Sequence, residues 1–217
     1  MINSSTNLFA VIGNPIAHSL SPNIHNAIFK KLNLNSVYCA FNVQPNYISD
    51  FITSMRTLNI KGVNVTVPYK EILIDYLDES DSFVKDCGAV NTILNHDGII
   101  KGYNTDGIGF LYVLEHVLNL NLSEKNIVIL GAGGTAKSIG FSLLTTSISS
   151  LTLINRSLDK LERLKKSLTL KNSSIDISSV QLSDPLVYDV LNDTDIIINT
   201  TSLGMKSTDS PLLQHMD

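Results

Sequence analysis

The sequence predicts an α/β fold with two domains, each built on a largely parallel sheet. Short β-branched runs alternate with longer segments of helical periodicity, which is typical of strands joined by crossover helices. The His96-Asp97-Gly98 turn between two strand-like runs favours a hairpin, so the first sheet is expected to be mixed and mostly parallel. A polar stretch over 119–126 separates two complete patterns and indicates the domain boundary.

Composition and charge exclude several classes of protein. The chain has 217 residues, 43% of them apolar and 17% charged, with 16 Lys and Arg against 20 Asp and Glu. This length can bury one large or two small cores. The net charge of −4 argues against nucleic acid as a partner. There is no apolar run near the roughly 18 residues of a membrane span and no signal-peptide pattern, so we expect a cytoplasmic protein without a membrane partner.

The two cysteines, Cys39 and Cys87, carry no redox or metal signature. They are too few for a disulfide framework and lack CxxC spacing. We expect both to be reduced core residues and expect no metal site.

The first domain is predicted to span 1–106, followed by a connecting helix and linker over 107–122. Strands are expected at Leu8–Gly13, Val37–Val43, Gly62–Val67, Ala89–Leu94 and Ile99–Tyr103. Helices are expected at about Asn23–Leu32, Tyr47–Leu58 and Glu71–Leu77, with a short one before Gly88. The amphipathic segment Gly107–Leu118 forms the connecting helix.

The second domain, 123–217, opens with a predicted strand at Asn126–Leu130 that runs directly into a glycine turn. The rest of its pattern is a helix at Thr135–Leu144, a strand at Leu151–Asn155, a helix at Leu158–Leu168 and a strand at Asp195–Asn199. This β-α-β-α-β order is half of a doubly wound, Rossmann-like dinucleotide-binding domain, which the sequence leaves incomplete at its C-terminus.

The turn itself fits the G-x-G-x-x-G/A fingerprint and lies between a predicted strand and a predicted helix. Gly131 permits the tight turn, Gly133 lets the backbone approach a pyrophosphate, and Ala136 permits close packing of helix on strand. The helix N-terminus then offers free N–H groups to phosphates. The predicted pyrophosphate site comprises Gly131, Ala132, Gly133, Gly134 and Thr135. The alternative is a glycine-rich turn that binds nothing.

The residues after the second strand of this domain predict the choice of cofactor. NAD-binding domains place an acid there for the ribose 2′-hydroxyl, whereas this chain has Asn155, Arg156 and Ser157. A guanidinium can pair with a 2′-phosphate that a carboxylate would repel. The sequence therefore favours NADP(H) over NAD, against the alternative of a solvated Arg156 at a helix start.

Polar residues in the first domain follow the predicted strand ends, where open α/β sheets form clefts. These candidates are Ser19, Ser21, Thr66, Lys70, Asn91 and Asp106. Taken singly, Ser21 and Asp106 also fit helix caps, and Lys70 a surface ammonium.

Seven short motifs, occurring in one order, connect these clusters. They are H-S-x-S-P (18–22), N-V-T-V-P-x-K (64–70), G-A-V-N-T (88–92), N-T-D-G (104–107), G-A-G-G (131–134), N-R-S (155–157) and N-T-T-S-L-G-M (199–205). In this respect the chain resembles the shikimate dehydrogenase family. Those enzymes are two-domain α/β proteins that reduce 3-dehydroshikimate to shikimate with NADPH, on the route to chorismate and the aromatic amino acids.

The resemblance implies roles for individual residues. Ser19 and Ser21 would hold the substrate carboxylate, and Thr66, Lys70, Asn91 and Asp106 would bind the ring hydroxyls, with Lys70 and Asp106 as the catalytic pair. Which of the two carries the transferred proton stays open. The glycine turn would hold the pyrophosphate, Asn155 and Arg156 the adenosine phosphate, and Met205 would flank the nicotinamide.

Two departures from the family pattern accompany this resemblance. Thr200 stands where the family often has a small residue, and family members continue well past the last motif. If the chain ends at Asp217, we expect an exposed sheet edge and an incomplete substrate site. Two alternatives therefore stay open: a quinate/shikimate dehydrogenase that uses NAD, and a non-catalytic remnant that binds nucleotide or shikimate. The oligomeric state, monomer or homodimer, is also open.

Overall fold

The computed structural model of the chain describes residues 2–204. The chain divides into two compact units with the boundary between Thr105 and Asp106. The helix that begins at Asp106, which the sequence placed in a connecting segment, groups with the second unit. Within 2–204, every helix is too short or too polar to cross a bilayer.

The first unit is built on a mixed sheet of six strands in the order β2-β1-β3-β5-β6-β4. Its strands are β1 (Asn7–Gly13), β2 (Ser36–Asn42), β3 (Gly62–Val65), β4 (Glu79–Ser80), β5 (Thr92–His96) and β6 (Ile99–Tyr103). Strand β1 pairs in parallel with β2 and β3, whereas β5 is antiparallel to both β3 and β6. The predicted mixed sheet and its hairpin are confirmed.

Three α-helices and two 3₁₀ turns complete this unit. The helices are α1 (Ser21–Lys31), α2 (Ile48–Thr57) and α3 (Ser82–Cys87), and the 3₁₀ turns cover Pro45–Tyr47 and Ile72–Tyr76. The expected helix at Glu71–Leu77 is thus a 3₁₀ turn, β3 is shorter than predicted, and β5 begins and ends later than predicted. Strand β3 ends before Pro68, which cannot donate to a sheet ladder.

The core of the first unit follows the alternation along its strands. In β1, Ala10 and Ile12 join the large cluster formed with α2, whereas Val11 packs on the opposite face with Tyr38. Arg56 of α2 donates to both oxygens of Asp78, at 2.7 and 3.1 Å, and the Ile100 N–H donates to the same carboxylate at 2.6 Å. These contacts tie α2 to the hairpin and lower the pKa of Asp78.

The second unit contains a parallel sheet in the order β10-β7-β8-β9. Its strands are β7 (Asn126–Leu130), β8 (Ser150–Asn155), β9 (Asp176–Gln181) and β10 (Ile196–Asn199), and its helices are α4 (Asp106–Tyr112), α5 (Gly134–Leu143), α6 (Leu158–Lys171) and α7 (Leu186–Asn192). A π-helical turn at Val113–Val117 continues α4. The sequence prediction that the last strand follows α6 directly is wrong, because β9 and α7 lie between them. The Rossmann-like order itself is confirmed.

Helix α4 packs closely on α5 through Gly107. A Cβ added to Gly107 would overlap the Ser138 carbonyl oxygen and the Ser142 hydroxyl, whereas a Cβ on Gly109 would have no atom within 4 Å. We expect Gly107→Ala to lower the free energy of unfolding of this unit by about 1–3 kcal/mol through overpacking. The matched Gly109→Ala should raise it by about 0.5–1 kcal/mol, since alanine favours helix. Urea unfolding followed by circular dichroism measures both, and equal effects would contradict this packing.

Candidate functional site

In the first unit, the loops after β1 and β3 leave the sheet at the same edge because the two strands are parallel. The Thr66 N–H donates to the Ile12 carbonyl at 3.0 Å, and the Asn14 N–H donates to the Val67 carbonyl at 3.1 Å. A Cβ on Gly13 would lie 2.7 Å from the Thr66 methyl, so the loops touch. Thr66 therefore lies against the start of the loop that carries the two serines.

Ser19 and Ser21 are half-buried and linked to each other. The Ser21 N–H donates to the Ser19 hydroxyl at 3.3 Å. Helix α1 begins at Ser21 itself, the preceding residue is Leu20, and no side-chain bond caps the helix. The capping interpretation of Ser21 is therefore wrong, and its hydroxyl lies near the phenol of Tyr38.

Lys70 and Asn91 are brought together by the backbone. The Val90 N–H donates to the Lys70 carbonyl at 2.8 Å, which places the lysine beside the segment that leads into β5. Asn91 is buried, and its amide donates to the Thr105 hydroxyl at 3.0 Å while its oxygen accepts from the Thr105 N–H at 2.9 Å. Asp106, the next residue along the chain, begins α4 of the second unit.

Sequence reasoning missed the polar residues that connect these groups. Asn64, in the four-residue strand β3, accepts from the Tyr38 hydroxyl at 2.6 Å and donates to the Thr92 hydroxyl at 3.2 Å. The signal available in the sequence was an asparagine between two buried valines, Val63 and Val65, which is an unusual strand position for an amide.

In the second unit, the glycine turn leaves part of its backbone open to a ligand. Gly131 has a φ of +115°, and a Cβ there would overlap the Thr200 hydroxyl. Gly133 is exposed, and a Cβ on it would meet nothing within 4 Å, so a ligand can approach its backbone closely. Helix α5 starts at Gly134 with its N-terminus toward this opening. The Thr200 hydroxyl donates back to the Leu130 carbonyl at 2.7 Å, which accounts for a hydroxyl at this position.

A cavity of about 420 Å³ lies between this turn and the end of β8. Its lining residues are Ala132, Gly133, Asn155, Arg156, Ser157 and Lys160. Two of them are cations and none is a carboxylate, so the donor set fits a phosphorylated ribose. Lys160, in the first turn of α6, was not predicted, although it stands only four residues after Arg156 in the sequence. The predicted nicotinamide neighbour Met205 lies outside the described residues.

Known proteins match both units. The model of the shikimate dehydrogenase substrate binding domain matches residues 11–93, and that of shikimate / quinate 5-dehydrogenase matches 113–209. A shikimate dehydrogenase (NADP(+)) from Methanosphaera stadtmanae is 45% identical over 211 residues, which is 96% of this chain and 72% of the relative. The chain belongs to the shikimate dehydrogenase family.

Solved shikimate dehydrogenases share the fold. One in complex with NADP+ is 39% identical with a TM-score of 0.85, over 98% of this chain and 73% of that one. Another, from Listeria monocytogenes in complex with shikimate and NAD, is 31% identical with a TM-score of 0.83, over 94% and 72%. Solved shikimate dehydrogenases are therefore the structures with which the polar residues of the first unit and the glycine turn and cavity of the second are to be compared.

Proposed function

We propose that this chain catalyses the reversible, NADPH-dependent reduction of 3-dehydroshikimate to shikimate. The observation that carries the proposal is that one chain of this family combines the polar edge of the first unit with a glycine turn and a two-cation cavity in the second. The first suits a small, hydroxyl-rich carboxylate, and the second suits a dinucleotide with an extra phosphate.

The substrate would lie along the polar edge of the first unit. Ser19 and Ser21 would donate to its carboxylate, and Thr66 and Asn91 would hydrogen-bond its ring hydroxyls. The amide of Asn91 has little rotational freedom, because both of its polar atoms are held by Thr105. A preorganised amide favours one arrangement of hydroxyl groups over others.

Reduction of a ketone needs a hydride at carbon and a proton at oxygen. NADPH supplies the hydride when bound. Lys70 would give its ammonium proton to the ketone oxygen and take it back in the reverse direction, with Asp106 as its charge partner. The turn at Gly131–Thr135 would bind the pyrophosphate, while Asn155, Arg156, Ser157 and Lys160 would bind the adenosine phosphate.

The test is turnover of shikimate with NADP+ or NAD+, followed by the absorbance of the reduced nicotinamide, beside a calorimetric titration of each ligand. We expect activity with NADP+. Activity mainly with NAD+ would indicate the quinate/shikimate alternative, for which the NAD-bound relative gives a precedent. Binding of shikimate without turnover would indicate a non-catalytic protein, and the absence of both would overturn the proposal.

The proposed setting is the cytoplasm, with the chain as a monomer or homodimer. Cys39 and the buried Cys87 are both free thiols, which suits a reducing compartment. Light scattering of the purified protein distinguishes the two oligomeric states.

A further inference from the structure

Tyr38 occupies a position in the first unit that the proposed chemistry does not explain. Its side chain is buried, at 4% exposure, and its ring stacks on His25 with centroids 4.3 Å apart. Its backbone is held as well: the Tyr38 N–H donates to the Asn26 side chain at 2.9 Å, and the Asn26 amide donates to the Tyr38 carbonyl at 2.8 Å. The phenol is therefore fixed between α1 and the sheet.

The hydroxyl of Tyr38 begins a chain of directed hydrogen bonds. It donates to Asn64 Oδ1 at 2.6 Å, which fixes which way that amide faces. Asn64 Nδ2 then donates to Thr92 Oγ1 at 3.2 Å, and Thr92 Oγ1 donates to Asn91 Oδ1 at 2.9 Å. The chain thus ends on Asn91, the predicted ligand of a substrate hydroxyl.

Ser21, the predicted ligand of the substrate carboxylate, lies near the same hydroxyl. Burial raises the pKa of Tyr38 to about 12, and the nearby Ser21 side chain opposes that rise. A tyrosine phenol is protonated at neutral pH even without this shift, and here it donates its proton to Asn64. Tyr38 therefore lies near Ser21 and begins the chain of hydrogen bonds that ends on Asn91.

We infer that Tyr38 is a positioning residue for shikimate, whose phenol orients Asn91 through Asn64 and Thr92. This inference rests on the proposed function, because it takes Asn91 as a substrate ligand. Without the phenol, Asn64 Oδ1 loses its donor and the amide is free to turn. The turned amide would no longer direct the Thr92 hydroxyl toward Asn91.

The test is Tyr38→Phe, which keeps the ring and its stacking on His25. We expect the KM for shikimate to rise about tenfold, since a buried partner is left unsatisfied. We expect kcat to fall less than about threefold and the KM for NADP+ to stay within about twofold, because the hydrogen-bond chain lies wholly in the first unit. The matched control is Tyr47→Phe, which removes a hydroxyl from an exposed tyrosine of the same unit.

A double-mutant cycle separates positioning from a general loss of packing. Thr92→Val breaks the chain at a second link, so Tyr38→Phe should raise the KM for shikimate much less in that background than in the wild type. Independent effects of the two substitutions, or an unchanged KM in Tyr38→Phe, would overturn the inference.

Calorimetry with shikimate alone keeps the inference distinct from the proposed function. If the wild type binds shikimate but does not turn it over, the proposed function fails. A tenfold weaker affinity in Tyr38→Phe would still support the positioning role in that case. A wild type that does not bind shikimate would overturn both.

Discussion

Lys70→Ala is expected to lower kcat for shikimate oxidation by about 10²–10⁴-fold, the usual contribution of a positioned acid or base. Its KM for shikimate should change much less, because the serines and Asn91 remain to bind the substrate. Steady-state kinetics in both directions measures the split. An added primary amine should restore part of the lost rate, since it replaces the missing ammonium. A Lys70→Ala variant that keeps more than about a tenth of wild-type kcat would rule out this role.

Two further variants serve as controls for this result. Lys85→Ala removes an exposed lysine from α3 of the same unit and should leave kcat unchanged. Asp106→Asn removes the charge of Asp106 but keeps a side chain of the same size at the first residue of α4. We expect Asp106→Asn to lower kcat at least about tenfold while the unfolding of the second unit stays unchanged. Retained activity would rule out a catalytic role for the charge of Asp106.

Removing both cations from the cofactor cavity is expected to change the preference between cofactors. The Arg156→Ala/Lys160→Ala variant should raise the KM for NADP+ by about 100-fold or more, because each charged hydrogen bond contributes roughly 1.5–3 kcal/mol. The KM for NAD+ should change little, since NAD+ lacks the phosphate that these side chains would bind. The difference in the KM for NADP+ between variant and wild type should become smaller as salt is added, because both cations are exposed.

The matched control is Arg163→Ala/Lys166→Ala, which removes one arginine and one lysine from the outer part of α6. Arg163 pairs with Asp159 on that helix at 3.1 Å, away from the cavity lining. This control has the same net charge as the test variant but keeps the cavity. If the control variant raises the KM for NADP+ equally, the effect comes from long-range electrostatics and the cavity has no special role.

The secondary structure of a segment was predicted correctly where its local sequence preference agrees with its tertiary environment. Strand β7 was predicted with its observed limits, because a continuous apolar run meets a glycine turn that only a strand-to-helix connection needs. Strand β9 was missed because it lies at the sheet edge and only Ile177 and Val180 in it are aliphatic. Its pattern of serines resembles a loop until the neighbouring β8 supplies the hydrogen bonds.

The candidate site residues also include some that the sequence could predict and others that it could not. Ser19, Ser21 and Lys70 stand in short motifs at predicted strand ends, so their neighbourhood was accessible from the sequence. The link from Tyr38 to Asn64 was not, because it joins residues 26 apart across two strands that flank a third. A tyrosine in a strand is ordinarily a core residue, and only the spatial arrangement gives its hydroxyl a partner.

The burial of α5 bears on how a dinucleotide would bind. Seven of its ten residues are buried, and Gly107 brings α4 against it with little space to spare. A helix enclosed in this way has few alternative conformations, so the amides of its first turn are ordered before any ligand arrives. Binding of the phosphates then costs little conformational entropy at this turn. More of the binding free energy from the phosphate contacts therefore contributes to the affinity for the whole cofactor.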